Sequence, residues 1–144
     1  MFELVVVIVI IGVISAMVLP SIRAGWKQGA VRRSVRAFIS AARTASAEAV
    51  RTRKPASLAV WPEDGRFGVA GREGGFELPD FADFGEIEGG REGEADDEIF
   101  FDFYPTGASS GGSVEIEFDV SGRTQAYRLI LDPLIGRVRI EELE

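Results

Sequence analysis

Hydrophobic residues are distributed unevenly along this chain, and the first twenty positions hold the densest run of them. Every residue from Leu4 to Leu19 is uncharged and nearly all are apolar, with Glu3 before the run and Pro20 after it. A helix over this run has no polar face, which is typical of a membrane-spanning helix rather than of a core helix. At about 1.5 Å per residue it reaches roughly 25 Å, and the two apolar residues before Glu3 extend it toward the ~30 Å hydrocarbon core. The pattern therefore predicts a transmembrane helix over 1–20.

After Pro20 the apolar residues recur at steps of three and four, which indicates one apolar stripe on a helix. The stripe consists of Val31, Val35, Phe38, Ile39, Ala42, Ala45, Ala49 and Val50. Its alanines favour helix and keep the stripe narrow, which suits close packing against a sheet. We expect Pro20 to kink the helix and Pro55 to end it. The prediction is one long helix from about Phe2 to Arg53, with an amphipathic basic stem over 21–54.

Beyond Pro55 the pattern is that of short strands. Apolar residues alternate with acids over 114–120, which predicts a half-buried antiparallel strand, and Ser121-Gly122 then predicts a tight hairpin. Further strands are predicted at 56–61, 66–69, 99–104, 123–131 and 137–140. The glycine-rich and acidic stretch 70–95 is predicted to be a long loop pinned by aromatic residues, and 141–144 a frayed acidic tail. A long helix packed on an antiparallel sheet head over 55–144 is an α+β architecture.

Composition excludes several kinds of chemistry and reveals a division of charge. The chain contains no cysteine and no histidine, which removes disulfides, cysteine nucleophiles, Ser-His-Asp triads and the common zinc sites. Its net charge is −7. Residues 21–54 hold nine Lys or Arg and one acid, whereas 55–144 hold seven Arg and twenty-one acids. The basic stem and the acidic head either meet between neighbouring subunits, where such attraction steers assembly, or are simply solvated faces.

The start of the chain resembles the mature N-terminus of type IV pilins and pseudopilins. The resemblance is carried by Phe2-Glu3-Leu4, by the β-branched run with Gly12, and by Pro20 seventeen residues after the acid. Aligned on Glu3, the chain begins two residues inside the family's mature start, so that the basic leader cut by a prepilin peptidase is absent. The positive charge after the apolar run favours a head inside the cell. A basic leader before Met1 would favour the opposite orientation.

The remainder of the chain is similar to the pseudopilins of the GspH/FimT type. The similar segments are the stem 41–50, the stretch 103–112 (FYPTGASSGG) and the stretch 132–139 (DPLIGRVR). The resemblance implies a pilin-like fold and a structural, non-enzymatic minor pseudopilin of the type II protein secretion system. It also implies a single-pass inner-membrane protein with a periplasmic head. Its expected partners are other pseudopilins in a helical filament and the inner-membrane assembly platform, with no cofactor.

Glu3 and Pro20 are the candidate assembly residues. An ionisable group at the edge of an apolar run is a candidate functional residue, the alternative being a solvated acid at the membrane interface. The resemblance implies that this acid pairs with the N-terminal amine of a neighbouring subunit. A buried pair of that kind specifies register more than it adds stability.

Arg137 and Arg139 are the candidate residues of an alternative function. Two residues apart in a predicted strand, they are expected on one face. Gly136-Arg137-Val138-Arg139 resembles an element that contacts DNA in minor pilins for DNA uptake, although secretion pseudopilins carry the same string. Nucleic-acid binders usually present a basic patch, and this head is acidic. We therefore expect Glu115, Glu117 and Asp119 to pair with the arginines across the sheet, and no nucleic acid to bind.

The remaining candidates support no catalytic or metal site. Calcium prefers oxygen ligands, but the spacing in the acidic run Glu92, Glu94, Asp96, Asp97 and Glu98 is not that of an EF-hand, and a solvated loop is favoured. No single pair of carboxylates stands out for acid–base catalysis. Trp26 and Trp61 are predicted to anchor an interface and the edge of the core, respectively.

Overall fold

An N-terminal helical region precedes a series of short strands. The structure, a computed structural model, describes residues 1–18, 22–23, 25–95 and 97–144. Helical backbone extends over Phe2–Thr52 (α1), whose described residues form two helical stretches, 2–18 and 25–52. The strands in the described part are β1 (Ala56–Trp61), β2 (Arg66–Val69), β3 (Phe76–Glu77), β4 (Ala82–Glu88), β5 (Arg91–Glu92), β6 (Ile99–Phe103), β7 (Gly112–Val120), β8 (Arg123–Leu131) and β9 (Val138–Leu143).

Within the described residues these strands form two antiparallel sheets. The first has the order β3-β2-β1-β6-β5 and the second the order β4-β7-β8-β9. The β7–β8 hairpin pairs Val120 with Arg123 across Ser121-Gly122, and both turn residues have positive φ. This is the two-residue turn that matches the twist of an antiparallel pair, so the predicted hairpin is confirmed. At the other end of β8, the turn 132–137 leads into the edge strand β9.

The core lies between the stretch 25–52 and the inner faces of the two sheets. The helix contacts β1, β2, β3 and β6 of the first sheet and β7 of the second. Six residues of the predicted stripe are buried, whereas Ile39 is half-buried and Val50 is 52% exposed. Phe67 on β2 joins the layers, since its ring centroid lies 5.1 Å from that of Phe38 on the helix and 6.4 Å from that of Phe84 on β4. The alanines of the helix allow this close approach.

The predicted fold class, one long helix on an antiparallel sheet head, is wrong in its layout. The strands form two antiparallel sheets rather than one. The error arises in 70–95, which holds β3, β4 and β5 rather than a long loop. β4 starts the second sheet, but a bulge between Phe84 and Ile87 interrupts its alternation, so no period of two is visible in the sequence. The predicted tail is also wrong, because β9 continues to Leu143.

The predicted transmembrane helix over 1–20 is wrong as well. Within the part of the chain that the structure describes, no helix combines the length and the apolar character needed to cross a bilayer. The first described stretch, 2–18, reaches about 25 Å, whereas a span needs roughly 20 residues for a ~30 Å hydrocarbon core. The expected localisation as a single-pass inner-membrane protein with a periplasmic head is contradicted by this finding.

Candidate assembly surfaces

The helical stretch 2–18 is apolar around its whole circumference and exposed along its whole length. Every residue from Met1 to Val18 is exposed, and even Val6, the least exposed of the large apolar side chains there, is 44% exposed. Soluble monomers rarely present continuous apolar patches larger than a few hundred Å². A helix that is apolar on every face is normally buried rather than exposed to water. This stretch is therefore the main candidate assembly surface of the chain.

Glu3 is the one charged residue of this stretch, and it lies in the first turn of α1. The unpaired backbone N–H groups at a helix start give it partial positive charge, so a carboxylate is favourable there. No ion pair is described for Glu3 in the structure. Pro20, the second predicted assembly residue, lies outside the described residues, and so does the kink predicted there.

A second surface lies between the stretch 25–52 and the turn that connects β8 to β9. It is a groove of about 750 Å³, which we call the arginine groove and define by Arg43, Ser46, Val50, Arg51, Ile135 and Arg137. Arg43 and Arg51 are eight residues apart, and that spacing places both on one side of the helix. Arg137 approaches them from the turn. The groove thus combines three guanidinium groups with an aliphatic wall.

Asp132 holds the turn beside the groove in one conformation. Its side-chain Oδ1 accepts the backbone N–H of Leu134 at 2.8 Å and that of Ile135 at 3.3 Å, and its carbonyl oxygen accepts the N–H of Gly136 at 2.9 Å. This is an Asx turn extended by a backbone bond. Leu134 is 83% exposed and Ile135 is 57% exposed. The turn therefore presents two aliphatic side chains to solvent from a rigid backbone.

Gly136 brings this turn against the loop 104–108. Its φ is +61°, and a Cβ at this position would lie 2.5 Å from the carbonyl oxygen of Gly107. Only glycine accepts both the left-handed backbone and the close approach. Ser109 adds a further link, since its hydroxyl donates to the carbonyl oxygen of Asp132 at 2.9 Å. The stretches 103–112 and 132–139 are therefore in contact.

The structure separates Arg137 from Arg139. Arg137 precedes β9 and lines the groove, whereas Arg139 lies within β9 with its Nη2 3.7 Å from Oδ2 of Asp132. The predicted cross-sheet pairs are wrong, because Glu115 pairs with Arg128 at 3.3 Å instead. Glu117 and Asp119 make no described ion pair.

The acidic run 92–98 has a structural role in the residues described there. The Glu98 carboxylate accepts Trp61 Nε1–H at 3.1 Å, and the Asp97 carboxylate accepts the backbone N–H of Glu63 at 2.6 Å. Asp96 lies outside the described residues. No group of acids suited to a metal ion is found among the residues that are described. Trp61, the last residue of the central strand β1, is half-buried, and Trp26 is 75% exposed.

Sequence reasoning found the apolar stretch and Glu3 but missed the arginine groove. The spacing of Arg43 and Arg51 was a usable signal, because residues eight apart share a helix face. Nothing in the local sequence indicates that the turn 132–137 comes to lie beside them. No protein-family model matches the chain, and no curated protein or solved structure shows significant similarity to it.

Proposed function

We propose that this chain is a structural subunit of a filament of the pseudopilin kind, such as serves type II protein secretion. In this proposal the helical stretches 2–18 of neighbouring subunits, from this chain and from companion pseudopilins, pack together in the filament core. The observation that carries the proposal is the apolar, exposed stretch 2–18 with a single acid near its start. The sequence resemblance over the stem and the head supports the same class.

The exposed apolar surface is large enough to drive association. Burying a Val, Leu or Ile side chain completely gains about 1.5–3 kcal/mol, so covering the roughly half-exposed side chains of this stretch gains on the order of 1 kcal/mol each. About a dozen such residues together supply on the order of 10 kcal/mol. That is comparable to the 4–15 kcal/mol cost of association. Burial of this surface by neighbouring helices is therefore of the size needed to offset the cost of bringing subunits together.

Glu3 supplies what apolar packing lacks, which is a fixed register. Hydrophobic association is non-directional, and a helix apolar on every face can slide and rotate against its neighbours. A carboxylate buried by that packing needs a positive partner on the neighbouring subunit, because an unpaired buried charge is costly. Arrangements that pair Glu3 are therefore selected over shifted ones.

Disulfide scanning of the full chain tests this proposal. The chain has no cysteine, so single substitutions from Val5→Cys to Ile14→Cys each report one position. The protein is transferred from mild detergent into buffer and oxidised, and disulfide dimers are counted on non-reducing gels. We expect the dimer yield to rise and fall with a period of three to four residues, since fixed register places one helix face against its neighbours.

The Glu3→Ala variant separates ordered assembly from simple aggregation. We expect it to flatten the periodic yield while the near-ultraviolet circular dichroism of the head stays unchanged. Glu73→Ala, which removes an exposed acid in a loop of the head, serves as the control and should retain the pattern. A chain that stays monomeric in buffer, or a Glu3→Ala variant with the unchanged periodic pattern, contradicts the proposal.

A further inference from the structure

The three arginines of the groove have no acidic partner in the part of the chain that is described. Arg43, Arg51 and Arg137 are exposed, and none takes part in a described ion pair. A guanidinium group presents fixed N–H donors that match a carboxylate or a phosphate. Three of them around one groove concentrate positive potential, which like-charge repulsion makes unfavourable until an anion is bound. The groove is therefore suited to an acidic ligand.

The basic stem is not neutralised by the acidic head of the same chain. The described ion pair between the stretch 25–52 and the head has the opposite polarity, because the acid, Glu48, is on the helix and the arginine, Arg72, is on the head, at 2.6 Å. Lys27 contacts the head through the backbone oxygen of Asp119 and the ring of Phe81 rather than through a carboxylate. The opposite charges of stem and head thus remain free to interact between molecules.

A group of acidic residues, some of them without an ion-pair partner, lies on the outer face of the second sheet. Asp83 on β4 is directly opposite Glu117 on β7, both are exposed, and neither has a described ion-pair partner. Like charges directly opposite each other destabilise a sheet. Beside them, Arg128 is shared between Glu115 at 3.3 Å and Glu86 at 3.8 Å. Glu115 is buried, whereas Asp83, Glu86 and Glu117 are exposed. We call these three exposed acids the acidic patch; a cation from outside would relieve its repulsion.

We propose that the arginine groove of one copy of this chain binds the acidic patch of a second copy. The groove and the patch are different surfaces, so the contact is head-to-tail and a pair of copies keeps one free groove and one free patch. Such contacts build open chains unless the rotation between copies closes a ring. The contact does not involve the stretch 2–18, so its test is independent of the test of the packing of that stretch.

The aliphatic wall of the groove favours a protein over a nucleic acid as the occupant. Val50 and Ile135 line the groove, and Leu134 lies exposed beside it. Protein interfaces combine arginine with apolar side chains, whereas phosphate backbones need mainly charge and polar donors. The head as a whole carries seven Arg against twenty-one acids, which repels a polyanion. The acidic patch of a second copy of this chain can contact both the arginines and the aliphatic side chains of the groove.

An engineered disulfide between two copies of the full chain tests the contact. One copy carries Ser46→Cys in the groove, and the other carries Ala126→Cys, which is paired with Glu117 in the β7–β8 register and keeps every charge. We expect a mixed disulfide dimer at low salt, and a fall in its yield as salt screens the contact. The control pairs Ser46→Cys with Glu73→Cys in a loop of the head, and should give at least about fivefold less dimer.

Charge reversal identifies the groups that carry the contact. Adding Arg137→Glu to the groove copy should lower the dimer yield about tenfold, since a like charge now faces the patch. Adding Glu117→Arg to the other copy should restore most of it. Equal cross-linking of all cysteine pairs, or a yield insensitive to Arg137→Glu, overturns the proposal. So does duplex DNA that binds at low salt, loses affinity with Arg137→Ala and prevents the disulfide, because the groove is then a nucleic-acid site.

Discussion

Gly136→Ala probes the junction between the turn 132–137, which forms one wall of the arginine groove, and the loop 104–108. The φ of +61° costs an alanine about 1 kcal/mol or somewhat more. A Cβ 2.5 Å from the carbonyl oxygen of Gly107 cannot be accommodated without moving one loop, because the obstacle is backbone rather than a flexible side chain. Overpacking of this kind costs about 1–3 kcal/mol. We expect the substitution to lower the free energy of unfolding by about 2–4 kcal/mol.

Gly122→Ala is the matched control for this substitution. Gly122 has a similar φ of +76°, but a Cβ there has nothing within 4 Å. Gly122→Ala should therefore lower the free energy of unfolding only by the backbone contribution of about 1 kcal/mol. Urea unfolding of the full chain in mild detergent, followed by tryptophan fluorescence, gives both values. Equal losses for the two variants would refute the close approach of 132–137 to 104–108, and with it this wall of the groove.

Three further predictions concern the core, the turn 132–137 and a tyrosine that interacts with an acid. Phe67→Ala should cost about 3–5 kcal/mol of unfolding free energy, because a fully buried ring is lost, whereas Leu134→Ala at an exposed site should stay within about 0.5 kcal/mol. Asp132→Ala should cost about 1–2 kcal/mol in the same assay by leaving turn N–H groups without their acceptor, and Asp132→Asn, which keeps an acceptor oxygen, should cost clearly less. Burial, together with the Glu142 carboxylate, raises the pKa of Tyr127 above its ordinary 10.0. The folded state holds this proton more tightly than the unfolded state does. Its contribution to the stability of the folded state is therefore complete below about pH 10 and is lost as pH rises through the folded pKa. Tyr127→Phe should therefore weaken the alkaline loss of stability in pH-dependent unfolding, and an unchanged profile would contradict the assignment.

The elements that sequence predicted correctly are those whose residues interact with near neighbours in the chain. The alternation over 114–120 predicted the inward side chains of β7, and Val114, Ile116 and Phe118 are indeed fully buried, but Glu115, which was expected on the solvated face, is buried as well. The bounds of β1 and β2, on either side of the turn 62–65, agree with the prediction. In these cases a period of two, or a turn with glycine, is itself the physical cause of the structure.

The elements that sequence missed depend on pairing between distant segments. β4 pairs with β7 across about thirty residues, and its bulge removes the regular alternation that would have revealed it. The partner of Arg139 is Asp132, beyond the turn, rather than an acid of β7, because β9 lies beside β8 and not beside β7. The arginine groove could not be predicted from the sequence for the same reason. Its two sides are separated by more than eighty residues, and only the packing of the helix across the sheets brings them together.

The two proposed surfaces have different physical properties, and an assembly needs both kinds. Packing of the stretch 2–18 supplies free energy but little direction, because one apolar face resembles another. The arginine groove supplies direction but little net free energy, because guanidinium and carboxylate groups lose solvation when they pair. Once copies are held together by their helices, the groove and the patch interact at a high effective concentration, so even a weak charged contact selects one arrangement. Salt should therefore loosen the register of the assembly before it dissolves the assembly itself, since screening weakens the charged contact and leaves apolar burial intact.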